Sequence, residues 1–121
     1  MKHSISPGEV WWAAVPYKEN AENSKHRPVV VVATSPTGRR EDVVVLVVPI
    51  TGFHGGAQPK RGDVSLDWRT IGGLTGESWV RARRVWAADP AALDRNKGCV
   101  GKLSRDEMSR VYTEVLGLFE S

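Results

Sequence analysis

An arginine and a threonine stand at the ends of two apolar segments, where their side chains could act together on a phosphate group. Arg27 directly precedes a proline and a run of four valines, and Thr51 closes the sequence Pro-Ile-Thr at the exit of a second valine-rich segment. A guanidinium binds phosphate in bidentate fashion, and a hydroxyl can donate a hydrogen bond to a phosphate oxygen. The pair therefore predicts a phosphate-binding site, provided that the two segments are neighbours.

Two short β-branched segments are expected to hold that pair. Residues 28–33 and 42–48 are too short for helices and are apolar at nearly every position, which is typical of buried strands. The sequence SPTGRRED between them indicates a hairpin turn. Because proline restricts the residue before it to extended backbone, Arg27 should enter the first strand directly. Antiparallel pairing would then bring Arg27 and Thr51 to the same rim of a sheet.

The rest of the chain predicts further short strands and one helix. Strands are expected at residues 8–15, 63–67 and 78–86, the last with a bulge or an end near Arg84, and residues 17–26 and 70–77 are expected to be loops. A single helical turn is expected near residues 90–93. We therefore expect a fold that is mainly β, a small barrel of antiparallel strands, because several short strands must hide their edges.

The C-terminal segment predicts the helix that closes this barrel. Ser104 and Glu107 have the spacing of a capping box, in which each residue satisfies the backbone N–H of the other. Apolar residues then recur at three- and four-residue steps, which predicts one stripe in the core or in a dimer contact. The stripe consists of Met108, Val111, Tyr112, Val115, Leu116 and Phe119.

Composition limits the remaining classes of function. The 121 residues fit a single domain over residues 1–121. The 17 basic and 14 acidic residues give a formal net charge of +3, which weakly favours a polyanionic partner. The one cysteine excludes an internal disulfide framework. The apolar runs stop at about eight residues, whereas a membrane span needs roughly 20. We expect a cytoplasmic protein without a membrane segment.

Metal, nucleotide and serine-nucleophile chemistry find no support in the sequence. The three histidines and Cys99 lack the spacing of metal ligands, and no paired carboxylates suit a hard cation. The glycine-rich GFHGGAQPKRG fits neither phosphate-loop fingerprint, and no serine stands in a marked nucleophile elbow. We therefore expect neither a metal nor another cofactor.

The order of these motifs resembles the MazF/PemK family of toxin-antitoxin endoribonucleases. The shared features are Gly-Glu-Val-Trp at residues 8–11, His-Arg-Pro before the valine run, Pro-x-Thr at the next strand end, the basic strand SWVRARRV and the C-terminal amphipathic helix. The resemblance implies an SH3-like barrel, a homodimer and metal-independent cleavage of single-stranded RNA. It also implies a cognate antitoxin whose disordered acidic tail occupies the RNA groove.

Carried over by position, the resemblance makes Arg27 and Thr51 the catalytic residues at the scissile phosphate. Arg81 matches an arginine that some relatives use as a general acid, but the acidic residue that those relatives carry two positions later is Arg83 here. The general base therefore stays open among the loop residues His54, His26 and Glu22. The residues expected to bind substrate are Lys25, His26, His54, Arg81 and Arg83.

Two functions of other classes stay open beside this one. A catalytically weakened RNA-binding module on the same barrel would suit the missing acidic residue at position 83, and a protein-targeting toxin of the CcdB type shares the barrel. The arginines at the rim favour RNA over a protein target. Tryptophans are expected in the core or a dimer interface, with base stacking by one of them as the alternative; they are Trp11, Trp12, Trp79 and Trp86.

Overall fold

Strands dominate the part of the chain that the computed structural model describes, which comprises residues 5–15, 25–35, 44–52 and 58–120. The strands are β1 (Glu9–Val15), β2 (Lys25–Thr34), β3 (Val45–Gly52), β4 (Asp63–Ser65), β5 (Ser78–Arg81), β6 (Trp86–Ala88) and β7 (Gly101–Lys102). One α-helix, α1, follows at Arg105–Gly117, and single 3-10 turns lie at Trp68–Thr70 and Pro90–Ala92. The predicted short turn near residues 90–93 is thereby confirmed.

The strands form one antiparallel sheet in the order β4-β5-β3-β2-β1-β7, with β6 also paired to β3. The sheet curls into a half-barrel, and α1 packs against it, so the predicted fold class is confirmed. No helix within the described residues is long and apolar enough to cross a membrane.

Apolar side chains pack on both faces of this sheet. The first core contains alternate residues of β1, β2 and β3, such as Val10, Val30 and Val48, together with the buried residues of α1. The second core contains the residues between them, such as Trp11 and Val31. Because successive side chains of a strand point to opposite faces, a strand buried on both faces must be apolar at every position. This explains the uninterrupted valine runs.

Strand β3 extends further than the sequence predicted. The predicted end at residue 48 was wrong, because the strand passes through Pro49 and continues to Gly52. Residues 45–47 pair with β6 and residues 50–52 pair with β5. Pro49 lies between these two ladders, so its missing N–H interrupts neither of them.

The other departures also concern where strands begin and end. β2 begins at Lys25, which was predicted to lie in a loop, because Lys25 and His26 pair with the end of β1. The strand predicted at residues 78–86, with a bulge or an end near Arg84, is divided there: a turn in which the Arg84 N–H donates to the Arg81 carbonyl at 3.0 Å separates β5 from β6. Most of the predicted loop at 17–26 and of the turn SPTGRRED lies outside the described residues, although β2 and β3 pair as that turn required.

The predicted capping box begins helix α1. The Ser104 hydroxyl accepts from the Glu107 N–H at 3.1 Å, and the Glu107 carboxylate accepts from the Ser104 N–H at 2.8 Å. Only half of the predicted apolar stripe enters the core: Met108, Val111 and Val115 are buried. The other half is exposed, with Tyr112 at 38%, Leu116 at 60% and Phe119 at 77% of their full surface.

Candidate functional site

Arg27 and Thr51 lie at the same end of two paired strands. Val29 of β2 pairs with Pro49 of β3, so continuing this antiparallel register by two residues places Arg27 opposite Thr51. Residues that stand opposite each other in a ladder project from the same face of the sheet. The structure therefore brings the two residues together at one rim, although their roles stay a prediction.

A cavity of about 210 Å³ opens at this rim, and both residues line it. Trp12 of β1 contributes another part of the wall, and the glycine-rich segment 73–76 lies among its lining residues. The lining thus includes an arginine, a tryptophan and a threonine. None of its described lining residues carries a carboxylate. Such a lining suits an anionic group attached to a planar apolar one.

The other predicted arginines lie away from this cavity. Arg81 ends β5 opposite Asp63, and its guanidinium donates to the Gln58 carbonyl at 3.4 Å. Arg83 forms an ion pair with Glu114 of α1, with 3.1 Å between Nη2 and Oε1. Neither arginine is among the residues that line the cavity.

The remaining predicted residues lie near the start of β2 or outside the described part. His26 is exposed, and the alternation of side chains along β2 directs it to the face opposite Arg27. The backbone of Lys25 pairs with Val15 of β1, and its side chain lies outside the described part. His54 and Glu22 also lie outside the described residues. The choice of general base therefore stays open.

Trp12, one of the four tryptophans that the sequence placed in the core or a dimer interface with base stacking as the alternative, lines the cavity. Its ring is half-buried, and the Lys97 ammonium lies 4.4 Å from the ring centroid. Neighbouring Trp11, on the other face of β1, is 2% exposed and belongs to the second core. The period-two alternation of a strand separates two consecutive tryptophans in this way. This alternation could be read from the sequence, but the sequence did not show which face of β1 borders the cavity.

Segment 73–76 was predicted only as part of a loop, yet its backbone determines the position of the cavity wall. Gly73 has φ +90°, a left-handed conformation that favours glycine. A Cβ at this position would lie 2.8 Å from Cζ2 of Trp12, which is too close for carbon atoms. Within the described residues, no group of three His, Cys, Asp or Glu side chains is arranged as a metal-ligand set.

The fold defines a class of small antiparallel half-barrels with a C-terminal helix, and comparison with known sequences identifies the family within it. The family described as "PemK-like, MazF-like toxin of type II toxin-antitoxin system" matches residues 6–119. The chain therefore belongs to the PemK/MazF family of type II toxin-antitoxin toxins, as the resemblance predicted.

Solved structures share the fold at low sequence identity. MazF from Deinococcus radiodurans superposes with a TM-score of 0.68 at 19% identity, covering 99% of this chain and 100% of that chain. The Mycobacterium tuberculosis toxin MazF-mt6 gives 0.66 at 19% identity, covering 93% and 96%. A mycobacterial endoribonuclease, solved in complex with its cognate antitoxin, gives 0.65 at 14% identity, covering 96% and 95%. No curated protein sequence matches the chain significantly.

Proposed function

We propose that this toxin is a metal-independent endoribonuclease that cleaves single-stranded RNA at short sequences in the cytoplasm. Messenger RNA is the expected target, so cleavage would stop translation and growth. The observation that carries the proposal is the placement of Arg27 and Thr51 on one rim, lining one cavity. Members of the family are known endoribonucleases, which supports the same reaction for this chain.

The proposed reaction uses the RNA's own 2′-hydroxyl as the nucleophile. Attack of that oxygen on the adjacent phosphorus forms a cyclic phosphate and breaks the bond to the 5′-oxygen. The pentacoordinate intermediate carries extra negative charge, which a preorganised cation and a hydrogen-bond donor stabilise. Arg27 supplies the cation, and the Thr51 hydroxyl donates to a phosphate oxygen.

Two proton transfers complete the reaction. One group must accept the 2′-hydroxyl proton, and another must protonate the leaving 5′-oxygen. A guanidinium stays protonated at physiological pH and is therefore a poor base. The base is one of His26, His54 and Glu22, and the resemblance assigns the acid role to Arg81.

The test is incubation of the purified protein with a long single-stranded RNA in EDTA, followed by mapping of the new ends. We expect cuts at a recurring short sequence that leave 2′,3′-cyclic phosphate. Arg27→Ala should abolish the cuts, whereas Arg105→Ala should cleave like the wild type, because Arg105 is exposed at the start of α1. Wild-type protein that does not cut, or Arg27→Ala protein that cuts normally, would overturn the proposal.

The same experiment separates the other two functions. Binding of RNA without cleavage would identify a weakened RNA-binding module, in keeping with Arg83 at the position where some relatives carry an acid. The guanidinium of Arg83 stays protonated, so it cannot stand in for a carboxylate base. Neither binding nor cleavage would indicate a protein target.

Partners are proposed as a second copy of the chain and an acidic antitoxin. Leu116 of α1 and Phe119, which follows the helix, are exposed and form a surface of the kind that homodimers bury. An acidic tail would suit a chain with a net charge of +3 and a cavity lined by Arg27. The mycobacterial structure with its cognate antitoxin supports such a partner.

A further inference from the structure

We propose that the buried indole of Trp79 positions the hydroxyl of Thr51, by donating a hydrogen bond to Thr51 Oγ1 when RNA is bound. This inference rests on the proposed RNA cleavage and adds a residue that acts through Thr51 and not on the phosphate itself. Two observations carry it: the register that brings Trp79 beside Thr51, and an indole N–H that has no acceptor among the described residues.

The register of the sheet puts Trp79 and Thr51 next to each other on one face. Trp79 of β5 pairs directly with Thr51 of β3 on one side and with Ser65 of β4 on the other. Continuing the register of β2 and β3 by two residues places Arg27 opposite Thr51. Residues opposite each other in a ladder project from the same face of a sheet, so these side chains form one row. The order of the row is Ser65, Trp79, Thr51 and Arg27.

The indole N–H of Trp79 is a buried donor without a partner. The residue is 2% exposed, and its Nε1 has no hydrogen-bond acceptor within the part of the chain that the structure describes. A buried donor that has lost its contact with water and gained no acceptor costs free energy, so such groups are rare in native proteins. The N–H of Trp79 therefore calls for an acceptor that a bound ligand brings into place.

Two hydroxyls flank this N–H, and their surroundings favour Thr51 as the acceptor. The Cβ atoms of directly opposite strand residues lie about 4.5–5.5 Å apart, a distance that aromatic side chains span. Ser65 is exposed, so its hydroxyl has access to water. Thr51 is half-buried and lines the cavity that Arg27 also lines. A phosphate that fixes the Thr51 side chain there would give the indole its acceptor.

Such a bond would set the direction in which Thr51 donates. A hydroxyl has one hydrogen and two lone pairs, whereas an indole N–H can only donate. When Oγ1 accepts from Trp79, its own hydrogen is directed away from the indole, toward the phosphate oxygen. Successive hydrogen bonds of this kind polarise one another. The gain is largest in the transition state, because the phosphate oxygens then carry extra negative charge.

The first test follows the indole N–H itself by NMR. Protein labelled with ¹⁵N gives an indole signal for each of the five tryptophans, and that of Trp79 is assigned through its backbone resonances. The probe is an oligonucleotide of the mapped cleavage sequence, made uncleavable by a 2′-deoxy substitution at the attacking nucleotide. We expect the proton on Trp79 Nε1 to shift downfield when this RNA binds the wild type, and to shift little when it binds Thr51→Val.

The second test is a double-mutant cycle on the single-turnover cleavage rate. Trp79→Phe retains an aromatic ring but removes the N–H, so it should lower the rate by about 3- to 10-fold, the usual effect of one hydrogen bond between uncharged groups. In the Thr51→Val background the same change should have no effect, because the hydroxyl through which it acts is absent. Affinity for the uncleavable RNA, measured by fluorescence anisotropy, should fall by less than the rate does.

Ser65→Ala is the matched control, because it removes the other hydroxyl that flanks Trp79. It should leave the cleavage rate and the indole shift on RNA binding unchanged. Trp68→Phe makes the same substitution at a half-buried tryptophan in the 3-10 turn after β4 and should also cleave like the wild type. Thermal unfolding shows whether each variant is folded. The NMR test uses only Thr51→Val and the wild type, so it holds even if Trp79→Phe is unstable.

The results that would overturn the inference are distinct from those that would overturn the proposed function. If the wild type cleaves RNA but its Trp79 signal does not shift, or shifts equally in Thr51→Val, the indole does not donate to this hydroxyl. Rate effects of Trp79→Phe and Thr51→Val that simply multiply would lead to the same conclusion. A shift that is lost in Ser65→Ala would assign the N–H to Ser65. If the wild type neither cleaves nor binds RNA, the proposed function fails, and the role of Trp79 fails with it.

Discussion

Arg27 gains its position from the strand and not from a loop. The buried Pro28 follows Arg27 in the chain. The backbone of Arg27 pairs with Ala13 of β1, so the Cα of Arg27 is fixed at the rim. Proline at the next position removes the helical alternative for Arg27. The β-sheet pairing thus fixes the backbone position from which the guanidinium can reach a phosphate.

The hydroxyl of Thr51 can be tested by a change that retains the shape of the side chain. Thr51→Val should lower the cleavage rate by roughly 100-fold, the usual loss when one donor to a developing negative charge is removed. The midpoint of thermal unfolding of Thr51→Val should stay close to that of the wild type, because threonine and valine are both β-branched.

Thr34→Val is the control for this change. Thr34 is also a half-buried strand threonine, but it lies at the other end of β2, paired with Val45. Rates are compared by single-turnover cleavage of one oligonucleotide. Equal rates for Thr51→Val and the wild type would show that the hydroxyl does not contact the transition state.

For single residues, the sequence predicted those features that are determined by adjacent positions in the chain. The proline after Arg27 and the valine run indicated a strand start, and the paired strands placed Thr51 beside it. The role of Trp12 in the cavity wall could not be predicted, because it depends on Gly73 and Lys97, which are remote in sequence. Contacts of that kind leave no periodic pattern.

Glu107 joins two elements through one buried carboxylate. Oε1 accepts from the Ser104 N–H at 2.8 Å, which caps α1, and Oε2 accepts from the Asp67 N–H at 2.7 Å. Asp67 in turn caps the 3-10 turn at Trp68–Thr70. The capping box was predicted from the spacing of two residues, but the bond to Asp67, 40 residues away, was not.

Glu107→Ala should therefore lower the free energy of unfolding by about 2–3 kcal/mol, because two partly buried N–H groups lose a charged acceptor. Ser104→Ala, which removes the cap alone, should lower it by about 1 kcal/mol. Ser109→Ala, on the exposed side of α1, should change it little. The measurement is equilibrium unfolding in urea. Equal losses for Glu107→Ala and Ser104→Ala would show that the bond to Asp67 contributes nothing.

The turn between β5 and β6 separates two arginines that the sequence treated as one basic strand. Arg81 ends β5, whereas Arg83 lies in the turn and pairs with Glu114. Because its charge is already compensated, Arg83→Gln should change the dependence of RNA affinity on salt less than Arg81→Gln does. On single-stranded RNA, removing a cation that neutralises one phosphate lowers that slope by about 0.7.

Anisotropy titrations at several salt concentrations give both slopes, and Arg105→Gln is the control at a remote exposed arginine. A larger change for Arg83→Gln than for Arg81→Gln would contradict this expectation. The sequence indicated a bulge or a strand end near Arg84, and the turn lies there. It could not show that both halves pair with the same strand, β3.

At the scale of the whole molecule, α1 leaves an apolar surface that the described fold does not bury. Leu116 in its last turn is 60% exposed, and Leu118 and Phe119, which directly follow the helix, are 43% and 77% exposed. The period of the stripe predicted an apolar face, but its width exceeded what one sheet could cover. The sequence could not show which half would meet the core.

Substituting both Leu116→Ser and Phe119→Ser should convert the proposed homodimer into a monomer while the chain stays folded. Val44→Ser is the control, since Val44 is 39% exposed and lies just before β3. Light scattering coupled to size-exclusion chromatography gives the mass, and circular dichroism reports the helix. A double variant that stays dimeric, or a wild type that is monomeric, would refute the proposed interface.

Gly73 has a consequence for how a toxin of this kind can change over generations. Any side chain at this position would strain the backbone and collide with Trp12, so inherited substitutions there should be lost. The adjacent Leu74 and Thr75 line the cavity without that restriction, one half-buried and the other exposed. New RNA preferences should therefore arise at these two positions first, because they border the cavity beside Arg27 and Thr51 while Gly73 stays the same.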